Sequence, residues 1–280
     1  MTTSEIYIEK SSGTREPFDR AKLVDSLEKA GASMFVADDV SKEIEKELKE
    51  GMPTHQIYSQ AFKLLRKKES RPAIRYSLRR SIADFGPTGF PFEDFVGEIF
   101  KAKGFSIMND VMVNGSCIEH EIDVVAYNDE QLVMTEVKFH NQLMLKSDVK
   151  VALYIKARFD DLKNVTFNIG GKLRGMTQGL LITNTKFTEN AIKFGSCAGV
   201  NMIGWNYPAK GNLHDLIEEM SLHPLTCLTT LTNVEKKVLL AKEIVTCKAL
   251  KEKAIILKDM EIPQNRIDEI LEEVHEICDM

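Results

Sequence analysis

The chain has 280 residues, 43% of them apolar and 28% charged, with a formal net charge of −5. That balance is globular and excludes both a disordered chain and a bulk-basic nucleic-acid binder. No apolar run approaches the roughly 18 residues of a membrane span, and the opening MTTSEIYIEK lacks the apolar region of a secretory signal. Five scattered cysteines, with no CxxC pair and no Cys/His cluster of zinc spacing, point to reduced thiols and a cytoplasmic setting.

The charge is unevenly spread. Residues 1–85 carry 16 Lys and Arg against 14 Asp and Glu, residues 86–224 carry 13 against 17, and residues 225–280 carry 8 against 11. Two breaks divide the chain: Gly86-Pro87-Thr88-Gly89-Phe90-Pro91, and His223-Pro224. They predict three domains, over 1–85, 90–222 and 225–280.

In the first domain, Ile6 and Ile8 alternate ahead of Ser11-Ser12-Gly13-Thr14 and Pro17-Phe18, which predicts a hairpin. Four helices follow. Asp19 caps one from Arg20 to Ala30 that Gly31 ends, a second runs from Ala37 to Lys49, Thr54 caps a third, and a fourth runs from Pro72 to Phe85. In the second domain, Phe92, Phe95, Val96, Ile99 and Phe100 share one face of a helix over Pro91–Lys103. Strands are expected at Phe105–Met108, Ile122–Tyr127, Gln131–Lys138, Gly179–Thr183 and Asn201–Gly204, with helices at Ser147–Leu162 and Thr188–Cys197. This alternation predicts an α/β fold around a mixed sheet. In the third, Thr232 and Glu235 have capping-box spacing before a helix to Thr246; helices over Ala249–Met260 and Asn265–Cys278 follow.

The chemistry concentrates in EIDVVAYNDEQLVMTEVKF. Asn128-Asp129-Glu130 supplies turn residues, so Asp123 comes opposite residues 135–136 on the returning strand. Glu136 and Lys138 lie two apart and point to one face. Two carboxylates this close repel unless a cation sits between them. A hard divalent ion fits such a pair, and an adjacent lysine can orient water or neutralise a phosphoryl transition state. An acid-x-lysine pair on a strand can equally be solvated surface. Here the flanking residues Ile122, Val124, Val125, Leu132, Val133 and Val137 are apolar, which sets the polar trio at the end of buried strands. Glu93 lies near the start of the preceding helix, and Glu121 shares a strand face with Asp123. His120 and His140 flank the trio, either as phosphate or metal contacts or as ordinary supporting histidines; Trp205 reads as core.

The succession PFEDFVGEIFKAKGF, EIDVVAY, VMTEVKF and GLLITNTKFTENAIKFGSCAGVNMIGW resembles the Mrr-like branch of the PD-(D/E)xK nucleases over residues 90–205. The resemblance implies Asp123 and Glu136 as ligands of Mg²⁺ or Mn²⁺, with the Val137 carbonyl as a further ligand. It also implies Lys138 as the catalytic lysine and Glu93 as an auxiliary acid. Where close Mrr relatives often have a glycine-rich GDGGID approach, this chain has Glu119-His120-Glu121-Ile122-Asp123.

IYIEKSSGTREPFDRAKLVDSLEKAGA, with the later THQIYSQAFKLL and AIRYSLRRSI, resembles the ATP-cone, a nucleotide-sensing module. The family's hairpin turn is Lys-Arg-Asp-Gly. Lys10 and Gly13 match it, the arginine and aspartate are absent, and Lys22 matches a later family lysine. The resemblance implies ATP or dATP as a regulatory ligand, with Lys10 and Lys22 near the triphosphate at a helix N-terminus. Residues 63–80 hold eight cations, of which Arg71, Arg75 and Arg79 share a helical face. They offer a DNA backbone or nucleotide contact, or a solvated face. The acidic C-terminal helices carry an apolar stripe too small to stand alone, so they should dock on the nuclease-like domain or on a second protomer.

Together these readings predict a cytoplasmic, metal-dependent DNA endonuclease regulated by nucleotide. A homodimer is expected, because cutting both strands needs two sites. The alternative is a nucleotide-responsive DNA-binding or regulatory protein with an inactive nuclease fold.

Overall fold

The computed structural model describes residues 5–10 and 13–278, without the side chains of Ser70 and Arg71. The turn residues Ser11 and Ser12 and the Arg71 side chain, all singled out above, lie outside the described set. The chain divides into two compact units, the first ending at Leu78 and the second beginning at Arg79.

The first unit opens with the expected hairpin, β1 (Tyr7–Glu9) and β2 (Arg15–Pro17), paired antiparallel. Helix α1 (Arg20–Lys29) starts where expected because the Asp19 carboxylate accepts the amides of Ala21 and Lys22. Helix α2 (Met34–Glu47) begins earlier than expected, since the Ser33 hydroxyl caps it. Thr54 is not a cap. A short strand β3 (Met52–Pro53) pairs parallel with β1, so Pro53 enters α3 (Thr54–Lys68) in extended geometry and Thr54 is already helical. Helix α4 (Ser70–Ala83) completes the set and runs on past Leu78 into the second unit. Leu27, Ala37, Val40, Ile44, Ala61 and Leu65 meet at the core of the first unit with no exposed surface.

The second unit holds α5 (Phe90–Ala102), β4 (Ser106–Asn114), β5 (Glu119–Tyr127), β6 (Leu132–Lys138), β7 (Lys146–Ser147) and α6 (Val149–Leu162). It continues with β8 (Thr166–Ile169), β9 (Lys172–Gly175), β10 (Gln178–Thr183), β11 (Lys186–Phe187), α7 (Glu189–Ala198) and β12 (Asn201–Ile203). Five strands form a mixed sheet in the order β12-β10-β6-β5-β4. β12, β10 and β6 run parallel; β5 and β4 are antiparallel to their neighbours. β6 is buried along its length except at Lys138, as befits a central strand covered on both faces. One face carries Ile155, Phe159, Leu162 and Ala191 from α6 and α7. The other carries Val96, Ile99 and Phe100 of α5. Two features were missed. β8 and β9 form a hairpin through Gly170-Gly171, both at positive φ, and β4 is more than twice its expected length. Near its middle Asp110 sits at φ 53, interrupting the ladder between the pairs Asn109↔Val124 and Val111↔Ile122.

The C-terminal segment has α8 (Leu213–Glu219), a 3₁₀ turn at Leu225–Cys227, α9 (Asn233–Leu240), α10 (Cys247–Glu252), α11 (Ile256–Asp259) and α12 (Gln264–Cys278). The capping box of Thr232 and Glu235 is present. α9 nevertheless stops at Leu240 instead of Thr246, because Glu243 turns left-handed and the Ile244 amide closes on the Leu239 carbonyl. The single helix expected over Ala249–Met260 is two, α10 and α11. Ile267, Ile270, Val274 and Ile277 are buried along α12.

Candidate functional site

β5 and β6 form the site. The pair Val124↔Thr135 ends their ladder, so Asp123 stands across from Glu136 as the turn spacing predicts. There the Asp123 carboxylate, not a backbone carbonyl, accepts the Val137 amide at 2.6 Å. Glu136 is 3% exposed, and its two oxygens take different cations. Lys138 Nζ donates to Oε1, and Nη1 of Arg158 donates to Oε2. Arg158 comes from α6. Its guanidinium also donates to the Glu121 carbonyl at 3.0 Å and the Tyr154 hydroxyl at 2.8 Å, and lies 5.0 Å from the Tyr154 ring centroid.

Glu93 stands in the first turn of α5, which Pro91 pre-organises. Burial and then the charges of Asp123, Asp110, Asp94 and Glu121 push its carboxyl up to about 7. Burial and then Glu136 push Asp123 up to about 6, against the opposing pull of the Val137 amide, Lys138 and Arg158. Burial and then Glu243 raise Asp94 to about 6, although the Asn109 amide donates to it at 2.8 Å. An excess of carboxylate therefore gathers at one end of the sheet.

That donor set fits a hard divalent ion, which prefers carboxylate and carbonyl oxygens. Among the described residues no three Asp, Glu, His or Cys side chains converge on one point. An ion held here would use Asp123, Glu136, a backbone carbonyl and water, and Glu136 would have to release one cation.

Both flanking histidines are hydrogen-bonded within the fold. His120 Nε2 lies 2.8 Å from Asp161, whose carboxylate also accepts the amides of Cys117 and Ile118 and so fastens the β4–β5 turn. His140 Nε2 lies 3.1 Å from the Ser147 hydroxyl, and burial, then Lys138, lowers its pKa. Trp205 is buried as expected. Arg158 was not foreseen. Tyr154 and Arg158 are four apart on a helix, but Glu136 lies 22 residues from Arg158 in the chain, and no local pattern marks that pairing. Asp110 was missed because nothing in the sequence sets an aspartate off within an alternating strand.

In the first unit, Gly13 adopts φ 78 and its amide closes the turn on the Lys10 carbonyl at 2.9 Å. Lys10 is paired with Glu16 at 2.6 Å. Lys22 lies in the first turn of α1, 3.7 Å from Asp19, and lines a pocket with Phe18, Ser26, Tyr58 and Tyr76. The two tyrosine rings stack at 4.8 Å. The basic run is largely engaged: Lys68 of the first unit pairs with Asp39 at 2.7 Å, while in the second unit Arg80 pairs with Asp84 at 3.3 Å and Arg79 donates to the Leu143 carbonyl at 2.6 Å.

Comparison with known proteins accounts for nearly the whole chain. Residues 6–84 match the ATP cone domain, residues 87–205 a restriction endonuclease domain of the Mrr catalytic type, and residues 223–278 the AF1548-like C-terminal domain. An uncharacterized protein of Archaeoglobus fulgidus is 38% identical over 144 residues, which is 51% of this chain and 75% of that protein. A crystal structure of a protein of unknown function, AF1548, aligns with a TM-score of 0.54 at 31% identity, covering 68% of this chain and 98% of the other.

Proposed function

This chain belongs to the AF1548-like family, with an ATP-cone ahead of a restriction-endonuclease domain, and we propose that it is a divalent-metal-dependent DNA endonuclease regulated by nucleotide. One observation carries the reading. Asp123, Glu136 and Lys138 meet at the end of two buried strands, with Glu93 held near neutrality beside them.

In this reading Asp123, Glu136 and the Val137 carbonyl hold Mg²⁺ or Mn²⁺. The bound ion would lower the pKa of a water and neutralise charge on the phosphoryl oxygens. Lys138 is the mobile partner: its ammonium leaves Glu136 Oε1 for the attacking water or the scissile phosphate. The carboxyl of Glu93, poised at about 7, can accept the proton that the water gives up. The Val137 amide fixes the Asp123 carboxylate so that it does not turn toward Glu136. Lys10, Gly13 and Lys22 take the phosphates of ATP or dATP in the ATP-cone, and the nucleotide biases assembly of a homodimer or access to DNA. Among the described residues no helix is long and apolar enough to cross a membrane.

A second reading, a nucleotide-responsive DNA-binding protein with an inactive nuclease fold, draws on a specific feature: both Glu136 oxygens are already paired with cations. The deciding experiment incubates the full chain with supercoiled and linear DNA in Mg²⁺ or Mn²⁺, with and without ATP or dATP, beside Asp123→Ala and Lys138→Ala. Metal-dependent cleavage lost in both variants supports the nuclease. No cleavage, together with no calorimetric binding of Mn²⁺, supports the second reading.

A further inference from the structure

The two cations on Glu136 are not equivalent. Lys138 reaches it from the same strand, its side chain is 37% exposed, and its ammonium is held by Glu136. Arg158 is 11% exposed and is fastened independently of Glu136. The Glu121 carbonyl, the Tyr154 hydroxyl and the Tyr154 ring all hold the guanidinium where it stands. A planar fork held by a β5 carbonyl and by Tyr154 presents a fixed donor, whereas an ammonium on a flexible stem can leave.

We infer that Arg158 is a positioning residue, which holds Oε2 of Glu136 so that Oε1 alone faces the metal once Lys138 moves away. This rests on the nuclease reading above and assigns the helix α6 a part in it. Arg158 touches neither the ion nor the substrate in this scheme; it acts through Glu136. The contact to Glu121 also ties the guanidinium to β5, so one side chain touches both strands that carry the two acidic ligands.

The sign of one measurement separates positioning from simple charge. Removing a cation beside a metal site tightens cation binding if charge is all that matters. Removing the group that orients a ligand weakens binding, typically 10–100-fold. Mn²⁺ is titrated calorimetrically into the full chain without DNA, for wild type, Arg158→Ala and Tyr154→Phe, with melting curves in parallel. The expected result is Mn²⁺ affinity about 10–100-fold weaker in Arg158→Ala and weaker to a smaller degree in Tyr154→Phe, which removes one anchor of the guanidinium. Unchanged or tighter binding in Arg158→Ala overturns the inference. If Arg158→Ala fails to melt cooperatively, Tyr154→Phe decides, since that side chain is 57% exposed and its loss leaves the core intact. Wild-type binding of Mn²⁺ with an unaffected variant refutes the role of Arg158 alone. No binding by wild type overturns this inference, and joined with no DNA cleavage it overturns the nuclease reading as well.

Discussion

Replacing Asp123 with Asn should make the metal-free protein more stable. The native site holds this carboxyl at about 6, up from an ordinary 3.8, because burial and Glu136 disfavour its charge. At 1.36 kcal/mol per pH unit the rise corresponds to a ceiling of about 3 kcal/mol carried by the folded state at neutral pH. A raised carboxylate pKa means that the folded chain binds the proton more readily than the unfolded one. The penalty is therefore complete above about 6 and fades as pH falls toward 3.8. Asn removes the charge and keeps an oxygen for the Val137 amide, so most of the ladder end survives. We expect Asp123→Asn to raise the unfolding free energy by about 1–3 kcal/mol at pH 7.5 in EDTA, and by much less at pH 4.5. The single tryptophan, Trp205, is buried in the same unit and reports its urea unfolding by fluorescence. Saturating Mn²⁺ should reverse the order, stabilising wild type by about 2.7 kcal/mol at a hundred times Kd and the variant hardly at all. A variant no more stable than wild type at pH 7.5, or a gain undiminished at pH 4.5, would refute the reasoning.

Three further outcomes are expected. Glu93→Gln should lower the single-turnover cleavage rate by about 100-fold and flatten the pH–rate profile near pH 7, where its carboxyl titrates. Glu16→Gln releases Lys10 from its ion pair and should strengthen ATP binding several-fold by calorimetry; unchanged affinity would remove Lys10 from the phosphate site. Buried Glu273 accepts the amides and hydroxyls of Thr229 and Thr230, so Glu273→Ala should cost about 3 kcal/mol in urea unfolding. Burial raises the pKa of this carboxyl, but those four donors lower it further, and its contribution should be lost as pH falls through the acid range.

The parts of this fold that were legible in the sequence are those fixed locally. Asp19, Asn128 and Gly104 each satisfy a cap or turn within a few residues, so the boundaries they set can be read along the chain. The pairing of Asp123 with Glu136 was legible for the same reason, since one tight turn separates their strands. What was not legible depends on distant partners. Thr54 fails as a cap because Met52 pairs with Ile8, and that parallel contact leaves no mark near Thr54. Arg158 looks like any exposed helical arginine until α6 is laid across the sheet. Lys68 in the basic stretch read as free charge because the acids that neutralise it, Asp39 and Glu43, belong to an earlier helix.

The left-handed residue in β4 bears on assembly. β4 is the outer strand of the sheet and at nine residues is long enough to recruit a strand from another molecule. At Asp110 the backbone leaves the extended region and carries a charge, so the row of amides and carbonyls is broken near its middle. The opposite border is β12, only three residues long. Neither border of this sheet offers a flat template to which a strand of another molecule could add.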